Sequence, residues 1–333
     1  MTYRPAMDDR PQVTPYDHLV LALGSVTRLP AIPGLEEHGY EMKSLTDAVA
    51  LRDRAVTLLE AADATDDLER RRALLRLVVV GANFTGVETA GEFDVFLRQG
   101  ARQCRRVRPE DCGVTLVEVA DRILPALDPD LSDYARRHME RRGIEIRLRT
   151  SVREIHADRV VLEGGEVLPA STVIWCAGIA PPPLLERLDL PLDERGYVLC
   201  ERDLRVRGRD DVWAIGDCAV NPDAEGRPYP ATAQHAVRQG VHLARNLSRS
   251  LSGTSPQPFD YTALGSIVAL GCRSGVAKVF GVKLAGFPAW WLFRSVYLMK
   301  MPGLSRKARV ALDWTLELLF PRDFVQLGVH RPE

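Results

Sequence analysis

The chain lacks any close pairing of cysteines. Cys104, Cys112, Cys176, Cys200, Cys218 and Cys272 lie far apart, with no C-x-x-C and no histidine at ligand spacing. That excludes a structural zinc site and a redox dithiol, so no metal is expected, and reduced thiols of a cytoplasmic protein are. Long apolar runs are also missing. The most hydrophobic stretch, Ala289 to Met301, is broken by Arg294 and Lys300 and falls short of the roughly 20 residues a spanning helix needs. The N-terminal residues Met1 to Asp9 are polar and interrupted by Pro5, which does not make the apolar core of a secretory signal. Nor is there an excess of one charge: 44 basic against 45 acidic residues leave a net charge of -1. Nothing in this balance favours a nucleic-acid partner. At 333 residues the chain exceeds the roughly 250–300 at which single cores stop growing, so more than one domain is expected.

What is present is an alternation of short β-rich runs and amphipathic stretches: Leu19–Leu23, Leu45–Ala62, Leu77–Val80, Thr85–Leu97, Val114–Val117, Leu131–Arg142 and Val173–Cys176. Such alternation argues an α/β protein with a parallel sheet. The unbroken apolar runs at Leu77–Val80 and Val173–Trp175 suit strands covered on both faces. Glu145 to Val161 reads as a small antiparallel excursion, with Gly164 and Gly165 as a turn. Two segments resemble each other: Tyr16–Ser25 and Ser171–Ile179 both pass from polar residues through an apolar strand into Ala-x-Gly or Ala-Gly. A duplicated Rossmann protein ends each nucleotide-binding unit in this way, at Gly24 in the first copy and Ala177 and Gly178 in the second.

The stretch Leu77-Val-Val-Val-Gly81-Ala-Asn83-Phe84-Thr-Gly86 sets glycines at the first and last positions of a strand–turn–helix dinucleotide motif. There a pyrophosphate meets backbone amides at a helix N-terminus. Asn83 replaces the middle glycine, and asparagine is the residue other than glycine that best tolerates positive φ. A lone glycine motif is weak, since such turns also serve close helix packing. Here the next strand, Val114–Val117, ends in Glu118, the carboxylate expected to hold the adenosine ribose hydroxyls. Glu118 would repel a 2′-phosphate, which favours NADH over NADPH, although Arg122 stands nearby. The spacing from Gly86 to Glu118 exceeds the usual roughly 20 residues; the excess is accounted for by the helix and the basic segment 101–113. The basic run Arg98, Arg102, Arg105, Arg106 and Arg108 reads as a solvated helix end and loop, with an electrostatic docking surface as the alternative.

These residues, with the blocks Ala22–Ser25, Ile32–His38, Lys43–Ala48, Gly86–Glu92 and Ala120–Pro125, resemble the flavoproteins built on two dinucleotide folds, and among them the type II NADH:quinone oxidoreductases. The resemblance runs almost end to end. It implies two Rossmann-like domains of the FAD/NAD(P)-binding kind, with FAD and NADH as cofactors and a quinone as acceptor. Asp211–Ala219 is similar to the family's second flavin motif, in which Gly216 meets the pyrophosphate and Asp217 binds the ribityl chain; capping the next segment is the alternative for Asp217. Pro230–Gly240 is similar to the segment that sets amides, here from Ala233, and a glutamine, here Gln234, beside flavin and quinone, although an ordinary helix start would read alike. Arg238 stands where the family would place a second glutamine, which puts the acceptor in question. Glu88 resembles the family glutamate near the reacting rings, where it orients and tunes; a carboxylate favoured by the helix dipole is the competing reading. The hydride step needs stacked rings and excluded water rather than a general base.

The division expected from sequence is a remnant of a FAD domain at 1–45 and 186–265, an NAD(H) domain at 46–185, and a C-terminal helical, membrane-facing tail at 266–333. No Gly-x-Gly-x-x-Gly precedes Tyr16, so the first Rossmann domain is expected to be incomplete. From Phe280 onward aromatics mingle with basic residues, Trp290, Trp291, Phe293 and Tyr297 among Lys283, Arg294, Lys300 and Arg306. That mixture suits a headgroup region, so a peripheral position on the inner face of the cell membrane is expected; a homodimer interface would use the same residues. Two alternatives stand beside the quinone reductase: a soluble NADH-dependent flavoprotein reductase with another acceptor, and an inactive nicotinamide-binding remnant.

Overall fold

The structure, a computed structural model, describes residues 2–3, 12–320 and 324–328. Most of the polar N-terminal stretch and the last residues of the tail lie outside these. The chain forms two compact units, Thr27–Gly178 with Leu264–Glu333 and Met1–Val26 with Ile179–Ala263. Residues 27–45, expected with the flavin remnant, thus belong to the nicotinamide unit. So does the C-terminal region, which packs on that unit instead of standing as a third body.

The nicotinamide unit is built on a five-stranded parallel sheet. Its order is Gly39–Glu41, Thr172–Trp175, Arg76–Val80, Gly113–Val117 and Glu145–Arg147. The crossovers carry helices α1 (Leu35–His38), α2 (Leu45–Ala64), α3 (Leu68–Leu74), α4 (Phe84–Ala101) and α5 (Pro129–Arg141) in the segments before and between the strands. Strand side chains alternate between faces, and both faces are apolar. Leu77 and Val79 pack with Leu59, Val87, Phe93 and Leu116 on the side of α2, α4 and α5. Val78 and Val80 pack with Val117, Ile155, Val160 and Trp175 on the other side. That second face is covered by a three-stranded antiparallel sheet of Val152–Ile155, Arg159–Leu162 and Val167–Pro169. The excursion therefore runs from Val152 to Pro169. Glu145–Arg147, expected within it, is instead the edge strand of the parallel sheet, paired Leu116 to Ile146. Gly164 and Gly165, with φ of 92° and 89°, make the turn.

The helix starts are written locally. Ser44 caps α2 in a reciprocal capping box with Asp47, satisfying two end amides at once. Toward the C-terminus, strands Gly265–Gly271, Ser274–Val279 and Val282–Gly286 form an antiparallel sheet, followed by α7 (Phe287–Lys300) and α8 (Leu304–Leu319). Val268, Leu270 and Val276 join the core on the α4 side of the parallel sheet. Residues 324–328 return to α2 and α4: Leu327 N–H donates to Asp53 Oδ1 at 2.9 Å, and the Phe324 ring lies 4.7 Å from that of Phe96.

In the other unit, strands Leu19–Leu21 and Val212–Ala214 run parallel, Val20 opposite Trp213. Its cores gather Leu21, Leu185, Val198, Val206 and Val212, and separately Leu204, Trp213, Leu243 and Phe259. Its long helix, α6 (Ala233–Leu251), buries His235, Gln239, Leu243 and Asn246 on one stripe, three or four residues apart as one helical face requires. The two sequence segments that resemble each other are the strands Leu19–Leu21 and Thr172–Trp175, one in each unit, followed by Gly24 and Gly178 at φ of 66° and 93°.

Candidate functional site

Arg76–Val80 is the strand at which the sheet order reverses: one neighbour, Gly113–Val117, follows it through α4, and the other, Thr172–Trp175, comes later in the chain. Ligands of open α/β sheets bind beyond the carboxyl ends of the strands at such a switch point. Three strand ends converge there: the Gly81–Asn83 turn, Glu118, and Ala177 with Gly178.

Gly81 has φ 97°, and a Cβ on it would lie 2.9 Å from the Ala177 backbone. A Cβ on Gly86 would lie 1.8 Å from Gly81 O, so the first turn of α4 lies directly on the loop. These are the roles of the first and last glycines of a dinucleotide fingerprint. Asn83 departs from expectation: with φ of -73° and ψ of -173° it is the N-cap of α4, in extended backbone that any residue adopts. Its Oδ1 accepts from Gly86 N–H at 3.0 Å and its Nδ2 donates to Cys176 O at 2.6 Å. Asparagine is thus used for capping and for tying the loop to the neighbouring strand end, not for a left-handed turn. Phe84 is partly buried against the core, which leaves its backbone amide as the group that heads the helix.

Glu118 sits at the end of its strand with Oε2 accepting from Ala82 N–H at 2.5 Å and Oε1 from Ala120 N–H at 2.9 Å. A carboxylate offers about four lone-pair sites, so acceptor capacity remains for two ribose hydroxyls. Arg122 donates to Pro125 O at 2.8 Å. Further along α4, partly buried Glu88 accepts from Ala269 N–H at 3.2 Å. Burial pushes its carboxyl up to about 7, the charge of Glu92 adds to the rise, and the Ala269 N–H opposes it.

The basic segment after α4 is tethered: Asp63 accepts from the backbone of Arg105, Arg106 and Val107 at 3.2, 2.6 and 3.3 Å. Those bonds, that from Arg106 foremost, hold its carboxyl below the usual range.

In the other unit, the 3-10 turn Gly216–Cys218 follows its strand. Asp217 Oδ2 accepts the Ser25 hydroxyl at 3.2 Å. Gly216, at φ 71°, donates its N–H to Gln239 Oε1 at 2.7 Å, and Gln239 is 2% exposed. A Cβ on Gly24 would meet nothing within 4 Å, so the space above that strand end is open. Ala233 begins α6 behind its cap Thr232. Gln234 Oε1 accepts the Tyr261 hydroxyl at 2.6 Å, and the Arg238 guanidinium lies 5.4 Å from the Tyr261 ring centre. Ser25, Gln239 and Tyr261 escaped sequence reasoning. Gln239 was signalled by its place four residues after His235 on the buried stripe. Tyr261 has no local signal, because its partner is far away along an irregular segment.

Two cofactors are implied by this architecture, and the residues can be tested against each. For a nicotinamide dinucleotide the fit is good: a glycine cradle closed to any Cβ, a helix N-terminus, and a carboxylate with spare acceptor capacity. For a flavin, Gly24, Gly216 and Asp217 fit the ribityl and pyrophosphate region. The described residues of that unit contain no glycine-rich strand–turn–helix for the adenosine end. No group of three or more His, Cys, Asp or Glu side chains able to hold a metal occurs among the described residues.

A dinucleotide fingerprint at the switch point of a parallel sheet, with a second unit carrying a flavin-type Gly-Asp turn, defines a nucleotide-dependent oxidoreductase of the α/β class. The chain belongs to the pyridine nucleotide-disulphide oxidoreductase family, whose model matches residues 4–240. It is 31% identical over 320 residues to a probable NADH dehydrogenase of Dictyostelium discoideum, covering 95% of this chain and 70% of that one. It is 33% identical to the demethylphylloquinone reductase of Synechocystis sp., covering 90% and 70% of the two chains. It is also 33% identical to a type II NADH:quinone oxidoreductase of Staphylococcus epidermidis, covering 88% and 74%. The fold matches that of NDH2 from Plasmodium falciparum, solved in complex with NADH, with a TM-score of 0.87 at 17% identity, covering 97% of this chain and 82% of that one.

Proposed function

We propose that this protein is an NADH:quinone oxidoreductase of the flavoprotein type, oxidising NADH and delivering its electrons to a quinone. The observation that carries the donor is Glu118, held by two N–H groups at the strand end. A fixed carboxylate accepts the two ribose hydroxyls of NADH and repels the 2′-phosphate of NADPH. Quinone as acceptor is supported by the relatives named for that activity. When bound, FAD supplies the two-electron carrier between donor and acceptor. The protein's own part is to orient and to hold protons. Gly81 and Gly86 admit the pyrophosphate, Ala177 and Gly178 form the adjoining strand end, and Asp217, Gly216 and Gly24 receive the flavin side. Glu88, titrating near neutrality, can hold or release a proton at working pH, whereas an ordinary glutamate would stay ionised.

The tail gives the acceptor its setting. Phe287, Trp291, Tyr297, Met299 and Leu304 are all at least half exposed; Lys300 stands between them in the chain, and Arg306, Lys307 and Arg309 follow. Arg294 is held between Trp290 and Trp314 at 4.6 and 4.5 Å from the ring centres. Among the described residues no helix is long and apolar enough to cross a membrane. This surface suits peripheral attachment to the inner face of the cell membrane, and a second copy of the chain is the competing occupant.

A second reading, a reductase with a different acceptor, is favoured by Arg238 on Tyr261, a cation where the resemblance leads one to expect a glutamine. The deciding experiment incubates the purified chain with FAD and follows NADH oxidation with a short-chain quinone and with a dye. Quinone reduction supports the first reading, and dye reduction alone supports the second. A chain that takes up no yellow flavin absorbance overturns both.

A further inference from the structure

The strand Gly265–Gly271 is fastened to α4 by more than apolar contact. Asp94, 3% exposed, accepts from Arg98 Nε at 2.6 Å and from Arg142 Nη2 at 2.7 Å. Arg142, immediately after α5, also donates through Nη2 to Gly91 O at 3.0 Å and through Nη1 to Leu270 O. One guanidinium therefore ties an α4 side chain, the α4 backbone and the strand backbone together. The contact itself excludes side chains: a Cβ on Gly91 would lie 2.4 Å from Leu270 O, and one on Gly271 would lie 2.4 Å from Gly91 O. The residue before Leu270 is Ala269, whose N–H donates to Glu88 at 3.2 Å, and Glu88 lies one helical turn before Gly91.

We infer that Arg142 and Asp94 are positioning residues for Glu88: they fix the register of the Gly265–Gly271 strand on α4 so that the Ala269 N–H meets the Glu88 carboxylate. Buried Val268 and Leu270 decide which face the strand turns to α4, and the guanidinium bonds to Gly91 O and Leu270 O fix its position along the helix. The planar fork supplies fixed directions that a point charge does not. The titratable groups that bear on Glu88 are Glu92 on its own helix and Tyr297 on α7; the strand contributes backbone only. The inference rests on the part given to Glu88 above, and its test separates the two.

The test follows the Glu88 carboxyl by carbon-13 NMR through a pH titration of the full chain, in wild type, Arg142→Lys, Asp94→Asn and Leu97→Ala. Loss of a hydrogen bond to the charged form raises the midpoint by about one pH unit in the first two variants. Leu97→Ala, a core deletion on the same helix, lowers stability and leaves the midpoint in place. Unchanged midpoints in both Arg142→Lys and Asp94→Asn, or an equal shift in Leu97→Ala, overturn the inference. If Arg142→Lys fails to fold, the milder Asp94→Asn decides alone. Glu88→Gln answers the other question: an unaltered pH profile of NADH oxidation removes Glu88 from the reaction and leaves the carboxyl titration as the measure of register.

Discussion

Glu88 stores a pH dependence in the fold. Its carboxyl titrates at about 7 in the native protein against 4.5 as a free side chain, so the native state holds the proton more tightly than the unfolded chain. Its contribution is most favourable below 4.5 and is lost as pH rises to about 7, by up to ~3 kcal/mol for a fully buried group and less for this partly exposed one. Urea unfolding across that range should show stability falling with pH for this site, and Glu88→Gln should flatten the slope. Glu118→Ala should raise KM for NADH by about 10- to 100-fold, the worth of charge-assisted hydrogen bonds to the ribose, with kcat little changed; steady-state kinetics with NADH and NADPH checks this and the narrowing of their ratio. Gly86→Ala should cost at least about 1–3 kcal/mol by forcing the first turn of α4 off the loop, read as a lower Tm and a lost response to NADH. The positions of Gly81, Gly86 and Glu118 at the strand ends were legible because the motif's spacing fixes where each must stand. The conformation of Asn83 was not, because its amide is aimed at Cys176 O, a partner that only the folded sheet brings near.

Among the elements, long helices and central strands were readable because their apolar periodicity spans several turns or a full double-sided run. The edge strand Glu145–Arg147 was misplaced because three residues of mixed character carry no signal of which sheet they join. The aromatics mark the tail as a surface, whereas its first strand, Gly265–Gly271, packs directly on α4. The aromatic face of α7 leads to a direct expectation: Trp291→Glu together with Phe287→Glu should reduce co-sedimentation with anionic vesicles at least about tenfold, while leaving the far-UV spectrum unchanged. The returning segment 324–328 leads to another. Asp53, only 6% exposed, receives the Leu327 N–H, so Asp53→Ala should destabilise the nicotinamide unit by about 1–3 kcal/mol in chemical denaturation.

Over the whole molecule, the fold class followed from alternation and the glycine motif, and the family from residues spread along nearly the entire chain. What sequence could not supply was the assignment of segments to units, since residues 27–45 and the tail are drawn to the nicotinamide unit by contacts distant in sequence. Binding of NADH at 100 times its Kd should stabilise that unit by about 2.7 kcal/mol, and a thermal shift with NADH that falls to about half or less in Glu118→Ala at the same concentration measures it. The interleaving of the units also sets a timetable for synthesis. When α4 leaves the ribosome, the strand that will cover Gly91 and complete its core still lies beyond the whole of Ile179–Ala263. At roughly 5–20 residues per second, the apolar flank of α4 waits about ten to thirty seconds for its cover. For that interval the nascent chain exposes a sticky surface that the finished protein never shows, and a chaperone acting on this protein would be needed then.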